Sequence, residues 1–176
     1  MKNRINRLLL LLAAVPAFVF IGLMAQSCGI YSFSGTSIQP DIKTITIDYF
    51  EYKAQTVNPN LASQLTDEMK ERFRKMTKLE QVDEDGDLEI YGEVTGYAVS
   101  TAGVNANEEA SMNRLTVSVK VKFTNRKYPE DDFDKSFSAY ADFESSQLLD
   151  SVQDALCEEI VTKLVEDIFT ASVAQW

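Results

Sequence analysis

Arg114-Leu115-Thr116-Val117-Ser118-Val119-Lys120-Val121-Lys122-Phe123-Thr124 sets leucine, valine and phenylalanine on every second position, with hydroxyl and basic residues between them. Successive side chains of a strand point to opposite faces, so this stretch predicts a strand with one face in a core and the other in water. Valine and phenylalanine suit such a pleated, half-buried surface. A strand that is apolar on one side only belongs in an antiparallel or mixed sheet, not in a parallel sheet covered on both faces.

The neighbouring stretches extend that reading. Upstream, Leu88, Ile90, Gly92 and Val94 alternate with Glu89, Tyr91, Glu93 and Thr95, and the two glycines Gly92 and Gly96 predict a bulge or a strongly coiled strand. Residues 102–110 read as a polar connection. Downstream, residues 125–132 form a turn around Pro129, and Phe133, Lys135, Phe137, Ala139, Ala141 and Phe143 then lie opposite Asp134, Ser136, Ser138, Tyr140 and Asp142. A first strand is expected over residues 42–49, where Ile45, Ile47 and Tyr49 alternate with polar positions. Two stretches change period. Asn58-Pro59-Asn60 offers a cap, after which Leu61, Leu65, Met69, Phe73 and Met76 recur at helical spacing through Lys78. Between residues 146 and 174, Leu149, Val152, Leu156, Ile160, Leu164, Val165 and Ile168 form a second apolar helical stripe. The expected fold is α+β: a four-stranded, mostly antiparallel sheet with two helices packed on one face, in the order β-α-β-β-β-α. Residues 41–176 make one such domain.

The beginning of the chain has a different character. Residues 1–7 (MKNRINR) are basic without acid, and residues 8–25 form a continuous apolar stretch with Pro16 in its middle, leading to Gln26-Ser27-Cys28-Gly29. This is the plan of a signal peptide over residues 1–27. Ala25-Gln26-Ser27-Cys28 resembles a lipobox, which makes Cys28 the lipid attachment residue and residues 28–40 a lipidated N-terminal tether; Gln26 departs from the usual small or apolar residue there. The apolar stretch is also close to the length of a spanning helix, so an uncleaved anchor stays open as an alternative, weakened by Pro16. Either arrangement puts the domain outside the cytoplasm. Several acyl chains at about 0.8 kcal/mol per buried methylene hold such a protein on its membrane without further help. Gly29 and the non-acidic residues after it point to the periplasmic face of the outer membrane.

Composition excludes much chemistry. The chain has no histidine, which removes every Ser-His-Asp and Cys-His arrangement and the commonest zinc ligand. Lys and Arg total 17 against 27 Asp and Glu; without Lys2, Arg4 and Arg7 of the signal segment, 14 bases face 27 acids, a formal charge of −13. Such a domain repels polyanions overall, so nucleic acid is not an expected partner. With Cys28 used by lipid, Cys157 has no partner for a disulfide and is expected to fill a small place in the core. A hydrolase would have to work with carboxylates alone, a pair drawn from Glu89, Glu93 and Asp134, one of them strongly perturbed. Neither a cofactor nor a metal site is expected. Asp83, Glu84, Asp85 and Asp87 around Gly86 look like the start of a calcium loop but lack its closing glutamate, and read as a turn.

Several stretches together resemble one family. They are Cys-Gly-Ile-Tyr-Ser-Phe-Ser-Gly at 28–35, Val57-Asn58-Pro59-Asn60-Leu61, Gly86-Asp87-Leu88 running to Gly92-Glu93-Val94-Thr95-Gly96-Tyr97, Asn113-Arg114-Leu115-Thr116-Val117, the segment from Phe137 to Phe143, and Ala174-Gln175-Trp176. In order and spacing they resemble the LptE lipoproteins of lipopolysaccharide assembly. The resemblance implies a non-enzymatic protein that sits in the lumen of an LptD-like outer-membrane β-barrel and assists lipopolysaccharide insertion into the outer leaflet. The same fold and anchor would also permit a periplasmic scaffold or pilotin-like lipoprotein of another envelope complex. With lipopolysaccharide as a candidate ligand, Arg114, Lys120, Lys122 and Arg126 attract notice: they share the polar face of one strand and its end, a basic stripe suited to phosphates. The plainer expectation is that Glu89, Glu93 and Asp134 neutralise them across strands. The aromatic residues Tyr31, Phe33, Tyr49, Phe50, Tyr52, Tyr91, Tyr97 and Tyr140 are read chiefly as core and cross-strand packing.

Overall fold

The computed structural model describes residues 37–104 and 111–174; the signal segment, Cys28 and most of the tether lie outside the described residues. Eight regular elements follow in order: β1 (Thr44–Ile47), β2 (Glu51–Tyr52), α1 (Leu61–Met76), β3 (Glu80–Gln81), β4 (Leu88–Val104), β5 (Ser111–Asn125), β6 (Phe133–Glu144) and α2 (Leu149–Val173), with a 3₁₀ turn at Pro129–Asp131 before β6. The α+β class, the two helices and the order of the long elements agree with the sequence. The sheet does not agree in detail. It has six strands where four were expected, in the order β3-β1-β4-β5-β6, with β2 also pairing β4. β1 pairs both β3 and β4 in parallel, and β2 pairs β4 in parallel, while β4-β5 and β5-β6 are antiparallel, so the sheet is mixed. The reason is the crossover: α1 carries the chain back over the sheet before β4 begins, and a strand reached through a helix runs parallel to the one before it.

The alternation that announced β5 is realised as burial. Leu115, Val117, Val119, Val121 and Phe123 are all at most 2% exposed, while Lys120 and Lys122 between them are exposed. Register carries this face across the sheet: Phe123 stands opposite Ile90 and Phe133, and Val117 opposite Tyr97 and Ala139. Both helices cover this apolar side in one continuous core. Phe73 of α1 meets Phe169 of α2 edge to face at 5.0 Å between ring centres, and Leu65, Met69, Ile160 and Leu164 are fully buried beside them. Cys157 is a buried free thiol on α2, as expected of a small core residue.

Two glycines allow backbones and rings to come closer than a side chain permits. The Phe50 ring packs against Gly92, and a Cβ there would meet it at 2.1 to 2.5 Å. The irregularity in β4 falls one step further on, as a register shift between Val94 and Gly96, with a second between Thr101 and Gly103. β4 therefore runs through residues 102–104, where a polar connection was expected. Gly86 is buried against the backbone of Ile45 and Thr46, with its N–H donating to Thr46 Oγ1 at 3.0 Å. Just before it, Asp85 takes a left-handed φ of 57°, a conformation that aspartate tolerates better than most residues. Asp87 then accepts from the N–H groups of Lys43 (2.7 Å) and Thr44 (3.2 Å), so this acidic turn is a clasp between β1 and β4.

At the helix starts, side-chain capping is absent where the sequence suggested it. Asn60 precedes α1 without a side-chain cap bond. Asn58 is instead buried, its Oδ1 accepting from the N–H of Asn60 at 3.1 Å while its Nδ2 points at Cys157 Sγ, 3.4 Å away. The loop before α1 is held by that asparagine and by Tyr52, whose hydroxyl donates to the Thr56 carbonyl at 2.5 Å and accepts from the N–H of Asn58.

Candidate functional site

The face of the sheet away from the helices carries the residues singled out for binding. Lys120 stands opposite Glu93 and Ser136, Lys122 opposite Tyr91 and Asp134, and Arg114 opposite Ser100 and Asp142. Their common face is as the period of two predicts. They are not one cluster: Arg114 and Lys120 are six residues apart, about 20 Å along an extended strand, with Thr116 and Ser118 between them. Arg126 follows the end of β5 at the Lys122 end of the stripe.

Most of these charges are already matched. Arg114 grips Asp142 with both arms of its guanidinium, Nε to Oδ1 at 2.7 Å and a terminal nitrogen to Oδ2 at 2.9 Å, and lies over the Tyr140 ring at 3.6 Å from its centre. That bond holds the Asp142 carboxyl below its ordinary range. Lys120 reaches Asp134 at 3.1 Å. Arg126 pairs with Asp85 at 2.8 Å and with Glu89. The side chain of Lys122 makes no hydrogen bond or ion pair among the described residues and is exposed. Cross-strand pairing of bases with Glu89 and Asp134 is thus observed, whereas Glu93 goes elsewhere: it accepts from Lys53 and from the Tyr91 hydroxyl at 2.9 Å, and the Lys53 contact holds its carboxyl low. A carboxyl held low is a poor general acid, which is unfavourable to a carboxylate-only hydrolase built on Glu93.

Sequence reasoning overlooked two participants. Lys53, just after β2, neutralises Glu51 and Glu93. Tyr140 backs Arg114 and is also approached by Lys163 of α2, 5.7 Å from the ring centre. The signal for Tyr140 was in the chain, since it shares the polar parity of Asp142, but its place beside Arg114 depends on the β5-β6 register, which periodicity alone does not fix. Of the aromatic set, Phe50 and Tyr97 are core residues, Tyr52 and Tyr91 are half-buried, and Tyr49 and Tyr140 are exposed; Tyr31 and Phe33 lie outside the described residues.

The arrangement offers exposed charges, hydroxyls and one aromatic ring on an open sheet face, which suits contact with a surface or an anionic ligand more than turnover of a substrate. Among the described residues no helix is long and apolar enough to cross a membrane.

Comparison with known proteins bears first on the fold. In structure, the chain is similar to protein CT253 from Chlamydia trachomatis, with a TM-score of 0.54 at 8% identity over 76% of this chain and 99% of the other; at that identity what the two share is the fold. A minor lipoprotein from Acinetobacter baumannii aligns with a TM-score of 0.42 at 11% identity, over 72% of this chain and 89% of its own. No curated protein sequence matches the chain. The family model described as lipopolysaccharide-assembly, LptE, matches residues 42–172, from two residues before β1 to the last turn of α2. The chain therefore belongs to the LptE family, the non-enzymatic lipoproteins of lipopolysaccharide assembly.

Proposed function

We propose that the protein is exported by its signal peptide (residues 1–27), lipidated on Cys28, held on the periplasmic face of the outer membrane by the tether of residues 28–40, and seated in the lumen of an LptD-like β-barrel, where it assists lipopolysaccharide transfer to the outer leaflet. The observation that supports the assembly role is the family match over residues 42–172; export and lipidation on Cys28 rest on the sequence pattern of residues 1–28. The domain's chemistry is consistent with it. A plug must present a rigid, charged, self-satisfied surface to a polar lumen, and the outer face of the sheet is such a surface.

The test is association. The lipidated protein, purified in detergent from native membranes, is expected to bring down one large β-barrel in stoichiometric amount. Recovery without any barrel would defeat the proposal, and recovery with a secretion channel of another kind would replace it. The mass of the mature N-terminus tests the Cys28 assignment independently.

For the stripe, the supported role is a weak, salt-sensitive contact to lipopolysaccharide phosphates centred on Lys122, with Lys120, Arg114 and Arg126 able to exchange their present carboxylate partners for a phosphate. Replacing Lys120 and Lys122 together by Gln is expected to weaken lipopolysaccharide binding severalfold at low salt and less at high salt. An affinity unchanged at low salt removes the stripe from the mechanism and leaves the barrel reading intact.

A further inference from the structure

The two edges of the sheet differ sharply. One is made of two-residue strands, β2 and β3, whose shortness leaves little to pair with. The other is β6, twelve residues long, with nothing beyond it among the described residues. The direction of its backbone groups follows from the ladder. The N–H of Ser145 donates to the Ser111 carbonyl, so odd-numbered residues bond inward to β5 and even-numbered ones face out. Asp134, Ser136, Ser138, Tyr140, Asp142 and Glu144 therefore present N–H and C=O groups along an exposed edge. Among the described residues two of these groups have partners: the Tyr140 carbonyl accepts from Lys163 Nζ at 3.0 Å, and at the far end the Glu144 carbonyl accepts from the N–H of Gln147 at 3.0 Å. Beside the edge runs a groove, with residues 138–140 on one wall and Thr162, Lys163, Glu166 and Asp167 of α2 on the other.

We propose that the outer edge of β6 is a docking edge for an extended, basic segment of a partner protein, which adds to the sheet as a further strand with one row of side chains in the β6-α2 groove. Strand addition beside a helix satisfies the free backbone groups and reads alternate side chains in the groove. Charge identifies the occupant. Asp134, Asp142 and Glu144 lie on the edge strand and Glu166 and Asp167 on the groove wall; the bases that neutralise Asp134, Asp142 and Glu166 lie inboard on β5 and α1, while Lys163 on the wall also pairs with Glu159. The rim is thus acidic, with Lys135 and Lys163 as the bases on β6 and α2 themselves. A second copy pairing β6 with β6 would set this rim against itself, which disfavours self-association. Lys135, a charge on the core-facing side of an edge strand, also blunts indiscriminate pairing at the start of β6. The inference rests on the sheet and does not require that the partner be the barrel.

The experiment uses the full chain in detergent and two synthetic peptides, one alternating Lys with Val and Thr, the other with Glu in place of each Lys. Amide exchange at Ser136, Ser138 and Tyr140 is expected to slow by about tenfold with the basic peptide and to stay unchanged with the acidic one. Ser138→Pro removes an outward N–H that no ladder bond uses, and is expected to abolish the protection while leaving thermal melting nearly unchanged. Lys163→Ala frees the Tyr140 carbonyl and removes a base, and is expected to tighten the basic peptide severalfold. Equal protection by both peptides, or none by either, overturns the proposal. So does protection of these amides in the free protein that grows with its concentration, since the occupant is then a second copy. Should Ser138→Pro fail to fold, the peptide pair and Lys163→Ala still decide.

Discussion

Gly92→Ala isolates the closest approach in the domain. The added Cβ would lie 2.1, 2.3 and 2.5 Å from three atoms of the Phe50 ring, against an ordinary carbon contact of about 3.5 to 4.0 Å. The ring would have to retreat by more than about 1 Å, yet Phe50 is 0% exposed and its own N–H is fixed by Thr66 Oγ1 at 3.0 Å, so the space behind it is already filled. Overpacking of a core costs about 1 to 3 kcal/mol, and expelling a phenylalanine altogether about 3 to 5, so a loss near 3 kcal/mol is expected. With a urea slope near 2 kcal/mol per molar, that lowers the unfolding midpoint by roughly 1.5 M. Urea denaturation of the domain, followed by circular dichroism, measures it. The mechanism is tested by a cycle with Phe50→Leu: the clash is with the ring, so Gly92→Ala should cost markedly less in that background, a coupling of about 1 to 3 kcal/mol. If the glycine substitution costs under about 0.5 kcal/mol, or costs the same beside Leu as beside Phe, Phe50 is not what reserves this position.

Other consequences are local. Thr66 is buried on α1, where its hydroxyl accepts from the Phe50 N–H and donates to the Ala62 carbonyl at 2.7 Å; Thr66→Val keeps the shape but orphans the N–H, and is expected to cost about 1 to 3 kcal/mol in the same denaturation assay, with Thr66→Ser much closer to the parent. Burial pushes the Tyr97 phenol up to about 12, and its hydroxyl sits beside the Asn58 amide and the Cys157 thiol without a well-aligned hydrogen bond to either. Because the unfolded phenol ionises first, near its ordinary value of 10.0, this group's contribution is whole below pH 10 and is lost as the pH rises toward 12. Tyr97→Phe is therefore expected to flatten the alkaline side of the stability profile and, at neutral pH, to leave stability unchanged or raise it by up to about 1 kcal/mol; a large loss at neutral pH would mean that the hydroxyl is bonded after all.

The long elements were legible because each repeats its period often enough to be read: β5 over five apolar turns of its pleat, α2 over an apolar stripe from Leu149 to Ile168. β2 and β3 were not, since Glu51–Tyr52 and Glu80–Gln81 have no room for a period and exist only because β1 and β4 offer them a ladder. The glycines of β4 were read as signs of irregularity, correctly near Gly96. At Gly92 the cause is a ring that arrives from 42 residues earlier in the chain, which no local pattern contains.

The binding stripe shows the same limit in a form that matters for function. Periodicity put Arg114, Lys120 and Lys122 on one face because the alternation is a property of a single strand. What each charge is worth to a ligand depends on its neighbours across the sheet, and these join residues 14 to 41 positions apart. β6 supplies Asp142 to Arg114 and Asp134 to Lys120, while the turn before β4 supplies Asp85 to Arg126. A ligand phosphate at those three positions must displace a carboxylate already in place, gaining only the difference between two exposed ion pairs, a fraction of about 1 kcal/mol. At Lys122 it displaces water alone. The stripe that the sequence presents as four equivalent bases is, once folded, one available charge flanked by three conditional ones, and Lys122→Gln by itself should account for most of whatever affinity the double replacement removes.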